Sequence, residues 1–302
     1  MSIDSCARRE PSYGSADGAI RRSTSEGWVR LTRWMRLLVC LTRLYVYARL
    51  VIGGRAARGG ADDTQRWARR LLDALDVQVR LRGHVPAPNA PLLVVANHIS
   101  WLDSYALNTA MQARFVAKSE VGTWLVIGPI ARAFDTFFLR RGSCRAAARM
   151  AAALATALER GTPVGVFPEG TTSWGHGLLP FYTAMFQAAV WSGARIQPVA
   201  LRYCDATGQH TDAPAYVDDV SVLDSVRRIV GEPRLIAELV FCAPIDPAGH
   251  TRRELAALAR KAIATALAFD DDAVAPTGLR PVPTRPSPTS RRRLGGDWRR
   301  AA

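Results

Sequence analysis

Short apolar segments alternate with helical patterns along residues 77–269, and this alternation restricts the chain to few architectures. The predicted strands are rich in Val, Leu and Ile and cover residues 77–83, 91–97, 114–119, 136–141, 163–169, 195–203 and 234–245. The helical patterns cover residues 100–111, 120–134, 143–161, 181–193, 221–231 and 251–269. Strands that alternate with helices form parallel sheets. We therefore predict one α/β domain at 77–269, with a single mostly parallel sheet flanked by helices and with chemistry in the loops that follow strands.

The two ends of the chain have a different composition from this domain. Residues 1–26 are polar without an apolar period, and no apolar stretch of the kind found in signal peptides follows the start. Residues 270–302 are rich in Pro and Arg. We predict that both segments are disordered, the second as a basic tail.

Residues 27–54 are apolar and about long enough to cross a bilayer, but arginines interrupt them. On a helical wheel one arc carries Arg30, Arg33, Arg36 and Arg43, and the opposite side carries Leu31, Trp34, Leu38, Leu41 and Tyr45. A charge at mid-bilayer costs at least about 2.5 kcal/mol. We predict that residues 27–76 form a helical segment that associates with the membrane surface. The alternative is an amphipathic helix that only covers the soluble core.

The charge balance predicts anionic partners. The chain has 40 Lys+Arg against 26 Asp+Glu, a formal net charge of +14. Nucleic acid is disfavoured because helix-turn-helix, RNP and zinc-finger patterns are absent from the sequence. The five cysteines form no C-x-x-C pair, so we expect reduced thiols and no metal.

A histidine and an aspartate follow the second predicted strand. His98 comes directly after the strand, and Asp103 lies five residues later, near the start of the predicted helix, with Ser100 as a plausible cap. A carboxylate there can bind one imidazole nitrogen and leave the other as a base, the arrangement of a catalytic triad whose serine is replaced by the substrate's hydroxyl. The alternative is a core histidine paired with a surface acid.

A second polar loop follows the strand at 163–169. Glu169 and Gly170 begin it, and Thr171 and Thr172 follow. Gly170 allows a tight turn and a close approach to a ligand. Hydroxyl and backbone N–H groups in such a turn can bind an oxyanion or a phosphate. Glu169 has no partner in the sequence and could also be a turn acid in water.

Two further strand ends carry cations. Arg140 and Arg141 end the strand at 136–141, where only one of two adjacent side chains faces a pocket. Arginine suits bidentate phosphate contacts. Lys118, at the end of another strand, is one of only two lysines in the chain. Solvated edge cations are the alternative for these residues.

Together these residues resemble the glycerolipid acyltransferases with an H-x-x-x-x-D motif, over about residues 30–268. His98–Asp103, preceded by Asn97, is similar to the first motif, and the segment FFLRRG to the second. The segment FPEGT, which includes Pro168 and Glu169, is similar to the third, with Thr172 where many members have Arg. A weaker fourth motif resembles residues 196–199, which include Pro198.

The resemblance implies acyl transfer from an acyl-carrier protein or CoA thioester to the hydroxyl of a lysolipid, without cofactor or metal. His98 is then the general base and Asp103 orients it. Substrate binding falls to Lys118, Arg141 (or Arg140), Glu169, Gly170 and Thr171, supported by Asn97, Pro168, Thr172 and Pro198. The implied acceptor is 1-acyl-sn-glycerol-3-phosphate, which would give phosphatidic acid, at the cytoplasmic face of the inner membrane.

Other functions remain open at this point. Residues FPEGTTS and FVAKSEV look similar to the lyso-ornithine lipid acyltransferase branch, so a lyso-ornithine lipid is the alternative acceptor. The same His–Asp pair could activate water on a thioester. A nucleic-acid-binding protein and an inactive scaffold are more distant alternatives.

Overall fold

The computed structural model describes residues 16–54, 61–140, 142–217 and 219–268. The α-helices are α1 (Ala16–Ile52), α2 (Ala61–Leu75), α3 (Asp103–Asn108), α4 (Ile127–Ala133), α5 (Cys144–Glu159), α6 (Gln187–Ser192), α7 (Val222–Gly231) and α8 (Arg252–Leu267). The strands are β1 (Val77–Gly83), β2 (Leu93–Ala96), β3 (Arg114–Lys118), β4 (Phe137–Leu139), β5 (Val164–Val166), β6 (Ile196–Cys204) and β7 (Leu235–Phe241).

The seven strands form one sheet in the order β1-β7-β6-β2-β5-β3-β4. Five of the six pairings between neighbours are parallel, and only β6 and β7 are antiparallel. Strands β6, β2, β5, β3 and β4 therefore point the same way, and their carboxyl ends lie along one edge. The predicted single, mostly parallel sheet is confirmed.

Two apolar layers cover the sheet, one on each face. Alternate residues of β2 point to opposite faces: Val94 joins the core built with α1, α2, α3 and α7, whereas Val95 joins the core built with α5, α6 and α8. Helix α5 is positioned by Ser143, whose hydroxyl accepts the N–H of Ala146. A capping box between Thr251 and Glu254 begins α8.

Several helix boundaries differ from those predicted. The helix expected at 100–111 spans only Asp103–Asn108, and Ser100 does not cap it. Asp103 instead accepts backbone N–H bonds from Ile99 and Ser100, which hold those residues in a turn. The prediction at 120–134 is split into a 3₁₀ helix, Ser119–Thr123, and α4, and that at 181–193 shortens to α6.

Helix α1 begins before the predicted boundary. It starts at Ala16, so the prediction of disorder is wrong for residues 16–26, where an established helix extends at little cost. Residues 1–15 and 270–302, also predicted to be disordered, lie outside the described residues. The last described residue of the domain is Ala268. None of the described helices combines the length and hydropathy needed to cross a bilayer.

The two faces of α1 match those that the helical wheel predicts only in part. Arg33, placed on the basic arc, is buried; its guanidinium pairs with Asp76 at 2.6 Å and donates to the carbonyl of Pro233 at 2.6 Å. Trp34 and Leu41, placed on the apolar side, pack against the protein core. The outward side instead carries Trp28, Leu31, Met35, Leu38, Val39 and Val46, which we call the α1 apolar face.

Candidate active site

The polar residues singled out in the sequence meet at one edge of the sheet. His98 follows β2, Glu169 follows β5, Lys118 ends β3 and Arg140 follows β4. These four strands are consecutive neighbours and run in the same direction, so their carboxyl ends form a row. Adjacent strands lie about 4.8 Å apart, which places the strand of Lys118 about 10 Å from that of His98.

His98 and Asp103 form a hydrogen-bonded pair. The imidazole Nδ1 lies 2.7 Å from Asp103 Oδ2, and the same oxygen accepts the N–H groups of Ile99 at 2.7 Å and Ser100 at 2.9 Å. The Asp103 side chain is fully buried, whereas 22% of the His98 side chain remains exposed. The turn before α3 thus holds the imidazole of His98 against the carboxylate of Asp103.

Tyr203 completes the surroundings of Asp103. Its hydroxyl donates to Asp103 Oδ1 at 2.8 Å from the neighbouring strand β6. Burial, reinforced by the Asp103 charge, raises the pKa of Tyr203 well above its usual value, so the phenol keeps its proton and acts as a donor. The two Asp103 oxygens accept from Tyr203, Ile99 and Ser100, so the pair with His98 is best satisfied by a proton on Nδ1. Nε2 is then the basic nitrogen.

The orientation of the His98 ring is held by an aromatic stack. The imidazole lies on the ring of Phe167 with centroids 4.0 Å apart and planes 8° from parallel. Phe167 in turn stacks on Phe115 at 5.3 Å. No described residue bonds Nε2, so the basic nitrogen can accept a proton from a bound hydroxyl.

Glu169 is buried, and both of its carboxylate oxygens accept hydrogen bonds from backbone N–H groups. Oε1 accepts the N–H of His98 at 2.8 Å, and Oε2 accepts the N–H of Leu179 at 3.0 Å. Burial raises the pKa of Glu169 to about 7, opposed by these two backbone hydrogen bonds. In this structure Glu169 fixes the peptide that carries the base.

The loop after Glu169 turns tightly beside the pair. Gly170 has a φ of +70°, and a Cβ there would lie 2.8 Å from the Tyr182 ring, so the position requires glycine. Thr171 is exposed at the turn. Thr172 does not offer its hydroxyl to a ligand here, because Oγ1 donates to the carbonyl of Tyr216.

The predicted supporting residues are part of the framework. The buried Asn97 side chain donates to the Leu201 carbonyl and accepts the Leu201 N–H, both at 2.8 Å. Pro198 is buried in β6 opposite Val95 of β2. The Pro168 carbonyl accepts the N–H of Tyr182 at 2.8 Å.

The predicted cations lie at the same edge, farther from His98. Lys118 and Arg140 are both exposed, and Lys118 pairs in register with Leu139, the residue before Arg140. Arg141, our first choice for the headgroup contact, lies outside the described residues.

Two residues of the site were not identified from the sequence. Tyr203 gave no signal, because it lies a hundred positions from Asp103 and reads as an ordinary strand residue. Phe167 lies within the FPEGT segment, but its stacking on His98 depends on the adjacency of β2 and β5. The site as a whole can remove a proton from a hydroxyl at Nε2 beside a row of exposed cations.

Comparison with known proteins points to one family. The model of the family described as Acyltransferase matches residues 76–202. The 1-acyl-sn-glycerol-3-phosphate acyltransferase of Neisseria meningitidis is 38% identical over 224 residues, which cover 73% of this chain and 86% of the relative. The lyso-ornithine lipid O-acyltransferase of Pseudomonas aeruginosa is 35% identical over 204 residues, covering 68% and 78%.

A solved structure supports the fold. The crystal structure of the 1-acyl-sn-glycerophosphate acyltransferase PlsC from Thermotoga maritima superposes with a TM-score of 0.54. It covers 78% of this chain and 96% of that chain at 23% sequence identity.

Proposed function

This chain belongs to the acyltransferase family, and we propose that it moves a fatty acyl group from a thioester to the free hydroxyl of 1-acyl-sn-glycerol-3-phosphate. The observation that carries the proposal is the His98–Asp103 pair, with Nε2 open toward the sheet edge where Lys118 and Arg140 lie. The proposed mechanism assigns no step to a metal or a cofactor.

The pair acts on the acceptor hydroxyl. His98 Nε2 removes the hydroxyl proton as the oxygen attacks the thioester carbonyl, and the C–S bond then breaks. The proton on Nε2 passes to the departing thiolate, so the base is restored at the end of the cycle. Asp103 stabilises the imidazolium between these steps and keeps the ring in the required tautomer.

The acceptor is proposed from the charge of the site. A hydroxyl at Nε2 and a phosphate near the ends of β3 and β4 would be separated by the width of two to three strands. The long side chains of Lys118 and Arg140 can reach across part of this distance. A relative at 38% identity is named for 1-acyl-sn-glycerol-3-phosphate.

A lyso-ornithine lipid is the second candidate acceptor. A relative at 35% identity bears that name. Thr172 also favours it, because its hydroxyl is engaged by Tyr216 and no arginine stands there to bind phosphate.

The donor is proposed as an acyl-carrier protein or CoA thioester. Both are acidic, and the net charge of +14 favours their approach to this chain.

The acceptor requires a membrane surface, and we assign this contact to the α1 apolar face. Leu38 is 60% exposed and Met35 55% exposed on it. A second exposed group, Trp124 and Leu125, follows the 3₁₀ helix after Lys118, so it lies at the active-site edge. Helix α4, which begins just after it, packs on α1. We place this membrane contact on the cytoplasmic face of the inner membrane, where acyl thioesters are made.

The test is transfer by purified full-length protein with acyl-carrier-protein and CoA thioesters and a panel of lysolipids, with products identified by mass. Phosphatidic acid as the main product supports the proposal, and an acylated ornithine lipid supports the second candidate. Free fatty acid released at the same rate without any lysolipid would show hydrolysis instead.

A further inference from the structure

A cluster of three metal-ligand side chains lies outside the catalytic pair. His176 is on the loop that continues from Gly170, and His210 and Asp212 are on the segment after β6. Asp212 Oδ1 lies 3.1 Å from His176 Nε2 and 2.9 Å from His210 Nε2. One ligand atom from each of the three residues lies within 4.8 Å of the others.

We propose that His176, His210 and Asp212 form a binding site for a divalent first-row transition ion, with zinc as the reference. Imidazole nitrogen and carboxylate oxygen are the ligands that such ions accept. In a tetrahedral zinc site with ligands at about 2.0–2.1 Å, neighbouring ligand atoms lie about 3.3 Å apart. Two of the three separations here are already close to that value, and all three lie within 4.8 Å, so rotation of the two imidazoles would complete the site.

The orientation of the rings supports an ion more than a casual surface contact. Both imidazoles direct the same nitrogen, Nε2, at a single carboxylate, and their ring centroids are 4.7 Å apart. Without an ion these contacts are hydrogen bonds to Asp212, which an ion would replace. All three side chains are partly exposed, so water can fill the remaining coordination position.

The ion would connect two segments that support the catalytic loop. The N–H of Ser173 bonds to the His98 carbonyl at 2.8 Å, and the N–H of Tyr216 bonds to the Ile99 carbonyl at 3.0 Å. His176 follows the first of these contacts, and Asp212 precedes the second. A cross-link between them encloses the segment of His98, which assigns the ion a structural role and no step in acyl transfer.

The packing around Gly175 also ties the cluster to the site. A Cβ at Gly175 would lie 2.7 Å from Ile99 Cδ1 and 3.3 Å from His210 Cε1. The residue beside His176 thus lies between the catalytic loop and the second imidazole. Loss of the ion should therefore loosen the packing of Gly175 against Ile99 and His210, while the sheet stays intact.

The experiment measures metal binding directly. Full-length protein carrying Cys144→Ser, which removes an exposed thiol, is stripped with chelator and titrated with Zn²⁺ by calorimetry. We expect one equivalent to bind. At ten times the dissociation constant, Zn²⁺ should raise Tm by about 3–5 °C. Mg²⁺, which prefers oxygen ligands, should give no such shift.

Three variants test the assignment of ligands. His176→Gln, His210→Gln and Asp212→Asn should each weaken Zn²⁺ binding at least tenfold and remove the Tm shift. All three positions are exposed, so folding without zinc should be unchanged. The matched control is His84→Gln, an exposed histidine elsewhere, and a second control is His98→Ala; both should bind zinc as before.

Opposite results overturn the proposal. It fails if the stripped protein binds no zinc, if the His176 and His210 variants bind it unchanged, if Mg²⁺ stabilises as well as Zn²⁺, or if His98→Ala abolishes binding. The last result would place the ion on the catalytic pair. None of these measurements uses acyl transfer, so they stand apart from the test of the proposed function.

Discussion

The Tyr203 hydroxyl donates a 2.8 Å hydrogen bond to the Asp103 carboxylate across a hundred residues of chain. Both side chains are fully buried. Tyr203 comes from β6 and Asp103 from the first turn of α3, so the bond links the loop that carries the base to the middle of the sheet. The His98–Asp103 pair is therefore held in place by a residue of a different strand.

Replacing Tyr203 by Phe should lower kcat about tenfold with little change in KM. The buried Asp103 carboxylate loses one donor, which also lowers the free energy of unfolding by about 1–3 kcal/mol. Initial rates at varied acceptor and thermal unfolding measure the two effects. Tyr105→Phe, a change at a partly buried tyrosine that packs against the same core, is the control and should keep kcat. An unchanged kcat in Tyr203→Phe would rule out the positioning role.

Replacing His98 by Ala should lower acyl transfer by about 10²–10⁴ because the general base is lost. Asp103→Asn should also be severe, since the amide cannot accept every N–H that converges on the carboxylate. Product formation per enzyme is the measurement, with circular dichroism to verify the fold. Near-normal turnover in His98→Ala would eliminate the mechanism.

Glu169 should make stability depend on pH. Its pKa is about 7 in the folded protein against 4.5 in the unfolded chain, so the folded state binds the proton more tightly. The stabilising contribution is complete below pH 4.5 and is lost as the pH rises through 7, a change of about 3 kcal/mol at most.

The variant Glu169→Gln isolates this contribution. Wild type should lose stability relative to the variant between pH 4.5 and 7.5, as measured by denaturant unfolding at several pH values. Glu159→Gln, the same change at the exposed end of α5, should track wild type at every pH. Parallel curves for wild type and Glu169→Gln would contradict the raised pKa.

The cations at the ends of β3 and β4 should act on binding of a phosphate acceptor. Arg141→Ala should raise KM more than it lowers kcat, because a headgroup contact is made equally in the ground and transition states. The KM values of Arg140→Ala and Lys118→Gln, measured in the same assay, show which of the three cations contacts the phosphate. If only Arg140→Ala raises KM, the contact lies one position earlier; if no variant raises it, the acceptor is not held by its phosphate there.

The α1 apolar face should carry the membrane affinity. Leu38→Asp should reduce co-sedimentation with anionic vesicles severalfold, because an apolar side chain at the interface is replaced by a charge that anionic lipid repels. Leu258→Asp is the matched control, since this exposed leucine lies on α8 at the opposite face of the sheet. Equal losses in both variants would assign binding to net charge rather than to this face.

The sequence predicted the fold class and the contact between His98 and Asp103, because both depend on local patterns. The alternation of strands and helices fixes a parallel sheet, and His98 and Asp103 are close in the chain. The sequence also singled out Glu169 as a site residue. Its hydrogen bonds to the backbone of His98 and Leu179 were not predicted, because they depend on how two loops pack. That packing has no local signature.

Arg33 shows where a helical wheel fails. Its position beside other arginines suggests a basic face, yet its partners are Asp76 and three carbonyls in the last turn of α7 and just after it. Even Asp76 lies 43 residues away in the sequence. A wheel sorts residues by angle and does not say which side meets protein. The cluster of His176, His210 and Asp212 has no local signature either, because His176 lies on a different loop from the other two and the loops meet only in the fold.

The side chain of Asn97 ends the pairing between β2 and β6. Its side-chain amide forms with Leu201 the two hydrogen bonds that a backbone peptide would form in a sheet. The main chain is thereby released from the ladder one residue before His98, and the His98 N–H becomes available to Glu169. The strand β2 can therefore end here, and His98 can leave the plane of the sheet, while the N–H and carbonyl of Leu201 in β6 stay hydrogen-bonded. A shift of the loop then need not disturb the sheet. The loop that carries His98 thus takes its shape from its own hydrogen bonds to Asp103 and Glu169, not from the ladder of the sheet.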